Sequence, residues 1–98
     1  MIKVGLLARI VAKPGKEEDV ASLLAGALPL AQGEGATVTW YAFRLSNSEF
    51  GIFDTFPNDD GRKAHLSGPI ATALMTKAKE LLAEPLRIDG LDLLAAKH

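Results

Sequence analysis

Residues 2–12, IKVGLLARIVA, constrain the fold more than any other stretch of this chain. Ile2, Val4, Leu6, Ala8 and Ile10 alternate with Lys3, Gly5, Leu7, Arg9 and Val11. A period of two is that of a β-strand. One face of this strand is wholly apolar, while the other is apolar only in part, at Leu7 and Val11. A chain of 98 residues makes one domain. A domain of that size has helix enough to cover one side of a sheet, so Leu7 and Val11 need cover from elsewhere.

The remaining elements follow from turn and cap signals. Pro14-Gly15 makes a turn, and Glu17, Glu18 and Asp19 suit the positive end of a helix. Val20, Leu23, Leu24, Ala27, Leu28 and Ala31 form its apolar stripe. Pro29 is expected to kink or end that helix, and Gly33 and Gly35 mark the loop after it. Residues 36–45, ATVTWYAFRL, and Glu49 to Phe56 are two strands rich in β-branched and aromatic residues, joined by a short turn as a hairpin. Pro57 to Asp60 offers several helix caps. A helical turn is expected at Arg62–Leu66, broken at Ser67-Gly68-Pro69, with Ser67 capping the next helix. Ile70, Leu74, Ala78, Leu81 and Leu82 line one face of that helix, which Glu84-Pro85 ends. A last strand runs from about Leu86 to Ala95, and its change of apolar phase across Gly90 suggests a bulge. The order β-α-β-β-α-β is the α+β ferredoxin-like plan, a four-stranded antiparallel sheet in a single domain over residues 1–98.

Composition removes several function classes. Eleven basic and twelve acidic residues nearly cancel, without the basic excess of a nucleic-acid binder. The absence of cysteine excludes a disulfide scaffold, a thiolate nucleophile and Cys-ligated metal or iron–sulfur sites. Arg9 cuts short the early apolar run, so no signal peptide is expected. No stretch approaches the roughly 20 apolar residues of a membrane span, and the expected compartment is the cytoplasm. There is no P-loop, dinucleotide fingerprint or G-x-S-x-G motif.

The strand ending in AKPGK, the strand TVTWYAFR, the strand FGIFDTF and then GRKAHLSGPIATAL together resemble the antibiotic biosynthesis monooxygenase domain family. The resemblance spans essentially the whole chain, and His65 two residues before Ser67, followed by an alanine-rich helix, is its most specific part. It implies a dimeric α+β barrel, in which two chains pair the open faces of their sheets across a two-fold axis. A homodimer would cover Leu7 and Val11. Members similar in fold differ in function: some oxygenate quinols or polyketide-derived phenols without a cofactor, and others degrade haem. The haem-degrading members resemble a pattern of a Trp followed ten residues later by a ligating His, and here His65 and Met75 stand in those two places, so the axial His is missing. Haem is therefore not expected.

The expected chemistry is cofactor-free oxygenation, with no flavin, haem or metal. A small phenol or quinol, once deprotonated, donates an electron directly to dioxygen. The protein then needs a base, an apolar wall and an oxyanion donor. His65 is the only histidine apart from the terminal His98 and is the natural base, its pKa ordinarily near ~6.5. Asp54, near the end of the third strand, is placed to orient it. Trp40, Phe43, Phe53 and Met75 are the candidate walls. Trp40 and Phe43 point to opposite faces of one strand, so at most one of them lines a given pocket. The plainer readings are His65 satisfying backbone groups at a helix break, Asp54 paired with Arg44, and aromatics that are simply core. Loss of the His65 side chain is expected to leave the fold intact. A non-catalytic dimer that binds a small molecule is the alternative function.

Overall fold

In the computed structural model, which describes residues 1–97, the alternating segment is strand β1, Val4–Val11, inside a four-stranded sheet. Strand β3, Glu49–Phe56, lies antiparallel on one side of it, with β2, Thr39–Arg44, beyond. Strand β4, Arg87–Asp92, lies antiparallel on the other side. Helices α1, Glu17–Ala25, and α2, Leu28–Gln32, link β1 to β2. Helices α3, Asp59–Leu66, and α4, Pro69–Leu81, link β3 to β4. The sheet order β2-β3-β1-β4 is the expected ferredoxin-like arrangement. His98 lies outside the described residues.

Strand alternation sorts side chains onto the two faces. Leu6, Ala8 and Ile10 sit opposite Asp54, Ile52 and Phe50, and this face packs on Val20, Leu24, Ile70, Leu74 and Leu81 from the helices. Burying each large aliphatic there contributes about 1.5–3 kcal/mol. On the other face Leu7 lies across from Phe53, and Phe53 across from Tyr41. The Tyr41 and Phe53 rings stack with centroids 6.5 Å apart. Among the described residues no helix covers them, and Tyr41 is exposed.

Three local expectations are corrected. Pro29 stands in the first turn of α2 and begins a helix, where its missing N–H leaves no bond unmade. Ser67 turns its hydroxyl back to the carbonyls of Lys63 and Ala64 and does not cap α4, whose N-cap is Gly68. Gly90 carries no bulge: the β1–β4 register runs unbroken through it. The phase changes because Ile88 faces the helices, whereas Leu91 faces the uncovered side of the sheet. Among the described residues no helix is long and apolar enough to cross a membrane.

Candidate functional site

Helix α3 starts where the Asn58 side chain accepts a hydrogen bond from the Gly61 N–H at 2.9 Å, an N-cap that satisfies one of the free first-turn donors. Gly61 and His65, four residues apart, lie on its buried face. A Cβ on Gly61 would meet Ala36 at 3.2 Å. The bare glycine therefore lets α3 close on the loop before β2 and carries His65 into the interior. The imidazole packs tilted against Phe56, ring centroids 5.3 Å apart, and is only 8% exposed.

Both ring nitrogens meet carboxylates. Nε2 lies 2.8 Å from Asp54 Oδ2, and Nδ1 lies 2.5 Å from Glu34 Oε1. Thr37 donates its hydroxyl to the same Glu34 oxygen at 2.9 Å. Burial alone would lower the His65 pKa. The hydrogen bonds to Asp54 and then Glu34 outweigh it and raise the value to about 8. The ring is thus mostly imidazolium at neutral pH, the only form that donates from both nitrogens.

Among the described residues three buried side-chain polar atoms have no partner: Asp54 Oδ1, Glu34 Oε2 and Trp40 Nε1. Such atoms are rare in folded proteins, and here they belong to this one neighbourhood, since Trp40 sits directly across from Asp54. Asp54 and His65 wall an apolar cavity of about 20 Å³ with Leu6, Leu66, Leu74 and Ile88. That is room for one water molecule. A second cavity of about 180 Å³ lies on the Glu34 side of the ring. The largest depression, about 710 Å³ between residues 1–3 and 93–97, lies apart from these groups, and its ionisable side chains are Lys3 and Lys97.

Of the residues expected at a site, Asp54 and His65 are brought together. Trp40 shares their face of the sheet. Phe43 and Phe53 project from the opposite face, because each differs from Trp40 or Asp54 by an odd number of positions along its strand. Met75 points to solvent from α4, 69% exposed. Neither these three nor Trp40 lines the Asp54 cavity of the single chain. Arg44 pairs with Glu18 at 2.9 Å, leaving Asp54 to His65. His65 is held by side chains and not by backbone groups at the helix break, so its loss strands two carboxylates. Glu34 is the residue that the sequence reading missed. One signal marks it: no other charged residue occurs between Asp19 and Arg44.

Comparison with solved structures gives an unambiguous fold. A Nitrosomonas europaea protein of unknown function, NE2512, is 49% identical over 100% of this chain and 95% of that one, with a TM-score of 0.98. Rv0793 from Mycobacterium tuberculosis matches at 18% identity over 98% and 99% of the two chains, with a TM-score of 0.86. A Caulobacter crescentus protein provisionally named an antibiotic biosynthesis monooxygenase matches at 14% identity over 96% and 92%, with a TM-score of 0.81. The last two likenesses are of fold. Protein-family models and functionally curated proteins give no match.

Proposed function

The chain belongs to one family with the Nitrosomonas europaea protein NE2512 and has the antibiotic biosynthesis monooxygenase fold, and from that premise we propose that it is a cofactor-independent oxygenase of a small phenol or quinol. The observation that carries this reading is the Asp54 carboxylate: the residue lines an apolar cavity, one oxygen is joined to His65, and the other, Oδ1, is a buried acceptor without a partner. A substrate hydroxyl donates to that oxygen. In the working form the ring is neutral, and the Asp54–His65 pair takes the hydroxyl proton, which the ring holds as imidazolium. The substrate anion gives one electron to dioxygen, and the resulting radical and superoxide join at a ring carbon. The peroxide, reprotonated from the pair, loses water and leaves a carbonyl. One oxygen atom stays with the product, the other leaves as water, and the substrate supplies the electrons.

The cavity holds only about 20 Å³, so a ring enters by parting Leu66 and Ile88, which line it and are 42% and 39% exposed. This cytoplasmic protein works as a homodimer, with a second copy on the open face of the sheet. Oxygen uptake with a panel of hydroquinones and anthrones tests the reading. Asp54→Asn and His65→Gln are each expected to lose roughly 10²–10⁴-fold in rate, the usual worth of a general base. The parent's rate should rise with pH through about 8, as the ring loses its proton. No uptake with any member overturns the oxygenase reading. The alternative function, binding without turnover, would raise the melting temperature with a ligand and consume no oxygen.

A further inference from the structure

The His65 ring forms part of the wall of two cavities. Nε2 faces Asp54 and the inner cavity of about 20 Å³, while Nδ1 faces Glu34 and the outer cavity of about 180 Å³. No other ionisable side chain among the described residues lines either one. We propose that Asp54, His65 and Glu34 form a proton conduit through the imidazole ring, with Glu34 as its outlet into the outer cavity. The inference rests on the reading that the Asp54–His65 pair takes a ligand proton with the ring neutral, and it assigns the route by which the resting ring sheds its proton to solvent before the pair acts.

Geometry carries it. A hydrogen-bond acceptor on each nitrogen lets a proton arrive at Nε2 while another leaves from Nδ1, so the ring need not turn. Turning is opposed by the burial of the ring and its contact with Phe56. Orienting the imidazole needs one acceptor, and a backbone carbonyl would serve; a second buried carboxylate is costly to desolvate. Glu34 keeps Oε2 buried and unpartnered beside Gly68, where a Cβ would stand 3.1 Å from that oxygen. On one measure the outer cavity, about 180 Å³, is nine times the inner one, about 20 Å³, which has room for a single water. The wider path to solvent is therefore on the Glu34 side.

Solvent exchange of the two ring protons, followed by NMR on the ¹⁵N-labelled full chain below pH 8, tests the conduit without any substrate. In the parent, the Nδ1 proton should exchange faster than the Nε2 proton by roughly 10²-fold, the low end for a positioned base. Glu34→Gln, which keeps an oxygen acceptor but cannot carry the proton, should slow Nδ1 exchange by a similar factor. Asp54→Asn lowers the ring's midpoint but leaves the Glu34 outlet in place, so Nδ1 should remain the faster-exchanging proton. A purely structural Glu34 would move the ring's titration midpoint and not this ratio. Equal or reversed rates in the parent overturn the conduit whether or not the variants fold, as does a folded Glu34→Gln with parental exchange. Asymmetric exchange in a protein that consumes no oxygen removes the oxygenase reading alone; oxygen consumption with symmetric exchange removes the conduit alone.

Discussion

On folding, His65 moves from water, where its ring titrates near 6.5, to a place between Asp54 and Glu34 where it titrates at about 8. The folded chain binds that proton more tightly, so the stabilisation is full below about 6.5 and is lost as pH rises through about 8. A shift of this size corresponds to about 2 kcal/mol. Urea midpoints measured at pH 6 and pH 9 should fall accordingly, and equal midpoints would show that the two carboxylates do not hold the ring. His65→Ala should be far more damaging, because it leaves two carboxylates facing each other with no cation. Stranding a buried charge costs about 3–5 kcal/mol, a large part of the roughly 5–15 kcal/mol that holds a domain together. Thermal unfolding of this variant checks it, and a parental melting temperature would refute the pairing. His65 and Asp54 were legible in the sequence because a lone histidine and a strand-end carboxylate are chemically conspicuous. Glu34 was not, because flanking glycines mark a loop, and only the closure of α3 over that loop turns its side chain inward.

At the level of elements, the site depends on how closely three strands can approach. Gly5 lies in the middle of this contact: a Cβ there would stand 2.8 Å from the Asp54 carbonyl oxygen and 2.9 Å from Leu91 Cδ1. A backbone atom cannot move aside as a side-chain tip can. Gly5→Ala should therefore cost about 1–3 kcal/mol, the range for overpacking, and should push β3 away and loosen the Asp54–His65 bond. Denaturation and the His65 titration midpoint should fall together; an unchanged midpoint in a destabilised variant would show that the strain is relieved toward β4 alone. Periodicity made the strands legible here, but the expected site set Phe53 beside Asp54, although these neighbours in β3 differ in parity and face opposite sides of the sheet. Periodicity did not foresee the length of α3, which starts at Asp59 because Asn58 caps it. Nor did it foresee the flat strand at Gly90, which lies under the Arg62 side chain, 3.3 Å from where a Cβ would be.

The whole molecule has two faces with different tasks. The helix-covered face buries Glu34, His65 and Asp54, whereas the open face carries Leu7, Phe53 and Tyr41 in a row across β1, β3 and β2. That row is what the first strand's half-apolar second face foretold. A second copy seated on it would cover the Tyr41–Phe53 stack, and a stable contact of this kind buries about 800 Å² on each partner. Sedimentation equilibrium at micromolar concentration should give the mass of two chains. Phe53→Lys sets an ammonium at the centre of the row, where pairing would remove it from water, and should give the mass of one chain. Phe53 faces away from the helices, so this variant should keep the fold and the His65 midpoint near 8. A parent sedimenting as a single chain at high micromolar concentration would overturn the dimer. A Phe53→Lys monomer whose His65 midpoint falls toward 6.5 would instead show that the second copy holds the buried carboxylates in place, making dimerisation a condition of the site's chemistry.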